Sequence, residues 1–248
     1  MTIQARDGNA AARGAPRAGP RPPASVQSVT RRSEQLSPEL HDYLVARSTP
    51  PDAVLTALAQ ETASRFPDAA GMQIGPEQGT FMTLLTRLTG ARTALEIGTF
   101  TGYSAICIAR GLAEGGHLTC CDVSEEWTSV ARRYWQQAGL AGQIELRIGP
   151  ALDTVRAMPA GAIFDLAFID ADKTGYVGYW DEVVPRIRPG GAILVDNTLS
   201  HGRVIDPDAG GDAVRGIRDF NDHARADDRV DLVLLPIGDG LTLARKRP

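Results

Sequence analysis

A chain of 248 residues with 43% hydrophobic and 23% charged content is long enough to bury a sizeable core and ordinary for a soluble globular protein. Its formal net charge of -4, with arginines spread between acids, gives no electrostatic reason to expect nucleic acid, and no apolar run approaches membrane-spanning length. The opening MTIQARDGNAA has no hydrophobic stretch behind its basic residue, so it does not read as a secretory signal.

Residues 1–32 are rich in Ala, Gly, Pro and Arg and nearly devoid of large apolar side chains. Such a segment cannot bury enough surface to offset the entropy of ordering, which predicts a disordered tail before an ordered domain at 33–248. From Ser37 the pattern changes. SPELHDYLVARS offers Ser37 as cap and Pro38 at the first helical position, with Leu40, Tyr43 and Leu44 on one side. A second helix is predicted over 52–65, and a third enters through Pro76-Glu77-Gln78 and runs to about Leu88. These helices have no place in a minimal cofactor-binding fold, so they read as a lid, an acceptor wall, a dimer surface or outer packing.

The stretch TALEIGTFTGYSAICIAR, Thr93 to Arg110, then reads as a first parallel strand, a glycine-bearing turn and a helix. The turn GTFTG lacks the second glycine of GxGxxG, which lets backbone approach a pyrophosphate, and Phe100 stands there instead. Glu96 puts a carboxylate beside the turn, unfavourable for phosphate but suited to ribose hydroxyls or a cationic ligand. Beyond it strands are predicted at 117–121, 144–148, 164–169 and 192–195, alternating with helices at 124–138, 151–156 and 176–187, the last closed by RPGG. A helix follows at 213–226, and the C-terminus gives two strands, 230–235 and 241–245, whose short PIGDG connection forces an antiparallel pair. The expected architecture is α/β, a doubly wound and mostly parallel seven-stranded sheet of Rossmann type with one antiparallel C-terminal strand. Cys107, Cys120 and Cys121 have no CxxC spacing and no clustered histidines, and read as reduced core thiols in a cytoplasmic protein.

The acids carry the chemistry. Asp122 ends the second strand about twenty residues past the turn, where a carboxylate accepts the hydroxyls of an adenosine ribose; this leaves nicotinamide and adenosylmethionine cofactors both open. FIDADK delivers Asp170, Asp172 and Lys173 at the end of one strand, and VDNT delivers Asp196 and Asn197 at the end of the next. Parallel strands end on the same edge, so Asp170, Asp196 and Asn197 can converge as an oxygen-only set suited to magnesium, with manganese or calcium as alternatives. Ordinary strand-end capping or pairing with Lys173 is the competing account of the same residues. No histidine spacing suggests zinc, and His201 reads as a substrate contact or surface residue rather than a base.

The combination of MQIGPEQGTFM, LEIGTFTGYSA, FIDADKTGY, VDNTL and LPIGDGLTLARK resembles the metal-dependent catechol and caffeoyl-coenzyme A type O-methyltransferases, from about Leu36 to Lys246. The resemblance implies that Met72, Glu96, Gly98, Ser104, Asp122 and Asp170 line an S-adenosylmethionine site. It implies further that Asp170, Asp196 and Asn197 hold a divalent cation, that Lys173 is the general base, and that Asp170 takes part in catalysis. A homodimer acting on small vicinal dihydroxy aromatics is expected, with Tyr43, Ser200 and His201 as acceptor contacts. The family often has tryptophan after DNTL, where this chain has Ser200 and His201, so pocket shape and acceptor size are expected to differ. Alternative readings are methyl transfer to a non-catechol hydroxyl or to nitrogen, and a nicotinamide-dependent oxidoreductase, which leaves the FIDADK and DNT pair idle.

Overall fold

The computed structural model describes residues 36–248, so the tail expected at 1–32 lies outside the described residues. The chain divides into a unit over 1–40 and a unit over 41–248, and the whole sheet belongs to the second. Helix α1, Pro38–Ala46, begins at Ser37, whose hydroxyl accepts the Leu40 N–H at 3.3 Å. Helix α2, Ala53–Arg65, is capped by the Asp52 carboxylate, which accepts the Leu55 N–H at 3.0 Å. Helix α3, Pro76–Leu88, starts with proline at its first position, where no backbone donor is missed.

Strands β1 (Thr93–Ile97), β2 (His117–Asp122), β3 (Ile144–Ile148), β4 (Phe164–Ile169), β5 (Ile187–Val195), β6 (Val230–Leu235) and β7 (Leu241–Lys246) form one sheet. Its order is β3-β2-β1-β4-β5-β7-β6, parallel except for β7, which runs antiparallel to both neighbours. The strand order reverses between β1 and β4, and ligands of open α/β sheets bind in the crevice beside such a reversal. Between the strands lie α4 (Tyr103–Gly111), α5 (Glu125–Gln137), α6 (Ala151–Arg156) and α7 (Tyr176–Val183), and α8 (Asp212–Ala226) precedes β6.

Two apolar layers sandwich the sheet because strand side chains alternate between faces. In β1, Ala94 enters the layer with α2 to α5, through Leu58, Met82, Ile106 and Val130. Leu95 and Ile97 enter the other, with Val155, Trp180 and Phe220 from α6, α7 and α8. All three cysteines are buried and unpaired. The acidic start of α5, with Ser124 Oγ accepting the Trp127 N–H at 3.2 Å, matches its reading as a capped helix.

One boundary differs from the expectation. The residues expected to close the helix at 176–187 instead open β5: α7 stops at Val183, and a 3₁₀ turn over Val184–Arg186 contains Pro185. Pro185 cannot donate to the helix, so the chain turns early. The RPGG segment then bulges within the strand, since β4 advances from Phe164 to Leu166 while β5 advances from Ile187 to Ala192.

Candidate active site

The tips of β1, β2, β4 and β5 are laced together one residue beyond their strands. Gly98 N–H donates to Cys121 O at 2.9 Å, Asp170 N–H to Ile97 O at 2.8 Å, and Asp196 N–H to Ile169 O at 3.0 Å. Gly98 has φ of 89°, and a Cβ there would meet Asp170 O at 1.9 Å. Only glycine therefore lets the β1 turn lie against the β4 tip, and that contact sets the distance between two functional segments.

A cavity of about 660 Å³ opens at this edge, lined by Met72, Gly98, Phe100, Ser104, Asp122 and Trp127 on one side and by Asp170, Asp172, Lys173, Asn197, Ser200 and Asp239 among its other wall residues. Phe100 holds φ of 51° and meets Trp127 edge-on at 5.1 Å between ring centroids. Asp122 braces the turn: its Oδ2 accepts the Thr99 and Phe100 N–H groups at 2.9 and 2.8 Å, and its Oδ1 accepts that of Ser124 at 2.8 Å.

Beneath the turn lies Glu96, fully buried. Its Oε2 accepts the Cys120 thiol at 3.2 Å, while Oε1 has no partner. Burial raises its carboxyl to about 7, partly opposed by the nearby Ser104 hydroxyl and the bond from Cys120, and Asp122's charge raises it further.

The strand-end acids form one network. Lys173 Nζ donates to Asp170 Oδ1 at 2.8 Å and to Tyr176 Oη at 2.7 Å, and Tyr176 Oη donates to Asp196 O at 3.2 Å. Gln78 Nε2 donates to Asp196 Oδ2 at 2.7 Å, and the Asn197 N–H donates to Asp196 Oδ1 at 2.7 Å. Asn197 Nδ2 donates to Asp239 Oδ1 at 2.6 Å, which turns its amide oxygen away from Asp239. Burial raises the Asp170 carboxyl, against the pull of Lys173. Burial, then the charge of Asp170, pushes Asp196 up to about 7, opposed by its bonds from Gln78 and Asn197. Ionising both carboxylates would leave more negative charge here than Lys173 offsets.

A family model described as O-methyltransferase matches residues 46–247. The chain belongs to the O-methyltransferase family. It is 42% identical over 174 residues to "Probable caffeoyl-CoA O-methyltransferase 2" of Dictyostelium discoideum, covering 68% of this chain and 75% of that protein. It is 37% identical over 224 residues to "Catechol O-methyltransferase domain-containing protein 1" of Mus musculus, covering 88% of this chain and 85% of the relative. Among solved structures, the O-methyltransferase from Bacillus cereus in complex with SAH superposes with TM-score 0.77 at 34% identity, covering 84% of this chain and 97% of that one. The O-methyltransferase TomG from Streptomyces achromogenes, involved in tomaymycin synthesis and solved with SAM, does so with TM-score 0.77 at 32% identity, covering 85% and 96%.

In this O-methyltransferase the expected site residues fall into three groups. Met72, Gly98, Ser104, Asp122, Asp170, Lys173, Asn197 and Ser200 line the common cavity. Glu96 and Asp196 are buried and do not line it, and Asp196 is joined to it through the Asn197 N–H. Tyr43 and His201, expected as acceptor contacts, do not line the cavity. Tyr43 is 60% exposed under the Arg47 guanidinium, and His201, at φ of 53°, points to solvent with Nε2 3.5 Å from Asp239. Sequence reasoning missed Gln78, Tyr176 and Asp239. Each lies inside a motif that carried the resemblance, Gln78 in MQIGPEQGTFM, Tyr176 in FIDADKTGY and Asp239 in LPIGDGLTLARK, but none was singled out.

Proposed function

We propose that the protein transfers the methyl group of S-adenosylmethionine to one hydroxyl of a small vicinal dihydroxy aromatic, with a divalent cation beside the acceptor and Lys173 receiving the proton. The observation that carries this reading is the meeting of Asp170, Lys173 and Asn197 in one cavity with the Gly98 turn, backed by buried Asp196. The cofactor assignment is supported by relatives solved with SAM or SAH.

The donor set suits a hard dication: one amide oxygen and two carboxylates, whose buried charges a dication would offset. Among the described residues no group of three His, Cys, Asp or Glu side chains stands ready to hold an ion, so the site depends on the Asn197 amide. When bound, S-adenosylmethionine supplies an electrophilic methyl group, and magnesium supplies Lewis-acid stabilisation of a phenolate. Asp239 and Gln78 fix the orientation of Asn197 and Asp196. Lys173 Nζ, held by Asp170 and Tyr176, is placed to receive the phenol proton, and Phe100 with Trp127 offers an aromatic wall to an adenine. Positioning of two reactants is worth ~7–11 kcal/mol in favourable cases, so binding and orientation carry much of the acceleration. The reading extends to a cytoplasmic homodimer; no helix of the described residues is long and apolar enough to cross a membrane.

Methyl transfer from labelled S-adenosylmethionine to vicinal diphenols tests the reading, with magnesium or with chelator. Activity should vanish in chelator, and Asp196→Ala should lose it more completely than Lys173→Ala while still binding S-adenosylhomocysteine by calorimetry. Full turnover in chelator refutes the metal assignment.

A further inference from the structure

The cavity wall carries six charged side chains, and five of them have partners. Asp122 accepts three backbone N–H groups, and Asp170 pairs with Lys173 at 2.8 Å. Asp172 accepts the hydroxyls of Tyr179 and Thr174, and Asp239 accepts from Asn197 and faces His201. Arg203 is the sixth. It stands exposed at the mouth, and it is absent from the arginine–carboxylate pairs found among the described residues.

The guanidinium is nevertheless held. Its Nε donates to Ser200 O at 3.1 Å, which leaves the two terminal nitrogens without a protein acceptor among the described residues. The turn that carries it is pinned from α8. Arg218 donates to Arg203 O at 2.8 Å, to Val204 O at 3.1 Å and to Asp206 O. Ser200, 1% exposed and on the cavity wall, has a hydroxyl with no partner among the described residues. Ala213 and Ile217 of α8 give the same cavity a small apolar flank. A fixed, unneutralised guanidinium beside an apolar flank is a receptor for a planar anion carried on an aromatic scaffold.

We propose that the acceptor of this enzyme bears a carboxylate on or near its dihydroxy aromatic ring, and that Arg203 is the specificity residue that reads it. This rests on the methyl-transfer reading above. Two oxygens of a carboxylate match the two terminal guanidinium nitrogens, whereas a neutral amide of the same shape offers one acceptor and an ammonium is repelled.

The test is calorimetric binding to the wild-type protein loaded with S-adenosylhomocysteine and magnesium. The probes are 3,4-dihydroxybenzoate and 3,4-dihydroxycinnamate, each against its amide, with dopamine as the cationic comparison. The acid should bind about tenfold more tightly than its amide in at least one pair, the scale of one charge-assisted contact. Dopamine should bind more weakly than either. Arg203→Gln should bring the acid-to-amide ratio to near one, and Arg203→Lys should retain part of it. Equal affinity of acid and amide in wild type for both pairs overturns the inference, as does an unchanged ratio in Arg203→Gln. So does a fall in S-adenosylhomocysteine affinity as large as the fall for the acid, because Arg203 would then be reading the cofactor's own carboxylate. Turnover of the same compounds is scored separately. Methyl transfer to none of them counts against the functional reading, and the binding ratio still decides the role of Arg203.

Discussion

Replacing Glu96 with glutamine should make the protein more stable at pH 8 and leave it little changed at pH 5. Glu96 has no exposed surface, and burial lifts its carboxyl from an ordinary 4.5 to about 7. A native-state carboxyl raised in this way binds a proton more tightly folded than unfolded. Its contribution is fully present below pH 4.5, drains away as the pH climbs to about 7, and stays lost above that. At 1.36 kcal/mol per pH unit over that window, one such group is worth about 3 kcal/mol. Glutamine keeps an oxygen for the Cys120 thiol and removes the charge, so the variant should gain about 2–3 kcal/mol over wild type at pH 8. Asp196, also lifted to about 7, titrates in both proteins, so the slope should shrink rather than vanish. Urea unfolding followed by circular dichroism from pH 5 to 8.5 reads both curves. Parallel curves would mean that Glu96 is ionised at neutral pH inside the fold, against the geometry described.

Gly98→Ala should cost more than about 2 kcal/mol, because it combines a left-handed backbone with a Cβ 1.9 Å from Asp170 O. Urea unfolding measures the loss, and calorimetry should show S-adenosylhomocysteine binding abolished; near-native stability would remove the argument for the turn's close approach. Asp239→Ala frees the Asn197 amide to rotate. Manganese affinity, read by electron paramagnetic resonance on the resting protein, should drop about tenfold or more. An unchanged affinity would show that Asp239 does not orient the ligand set.

The sheet was legible because its strands are short apolar runs bounded by glycine, acid or proline, and hydrophobic periodicity reports such runs directly. The strand-end acids were legible for a related reason: parallel strands share an edge, so FIDADK and VDNT point to one place without any knowledge of distance. What defeated the reading was direction and partnership. RIRPGG looks like a helix stop, yet register against β4 makes it a bulge inside β5. His201 follows DNTL closely in sequence, but left-handed angles at Asn197, Ser200 and His201 swing the chain so that Ser200 lines the cavity and His201 does not. Glu96, a cofactor residue by resemblance, is fully buried on the same face of β1 as Ala94, a placement the sequence pattern alone did not specify. Gln78 reaches Asp196 across 118 positions of sequence, a relation no local pattern encodes.

The hairpin of β6 and β7 closes on the site from the far end of the chain. Thr198 and Leu199 N–H groups donate to Gly240 O and Asp239 O at 2.9 and 2.8 Å, and Gly240, at φ of 103°, comes so near that a Cβ would sit 2.3 Å from Leu199 N. Because β7 inserts between β5 and β6, the turn before it is carried to the cavity edge beside the β5 tip. The β4 and β5 tips supply the carboxylates, and the brace for Asn197 comes from this turn through Asp239. A substitution that slackens the turn joining β6 and β7 would therefore act on Asn197 without touching any residue of β4 or β5.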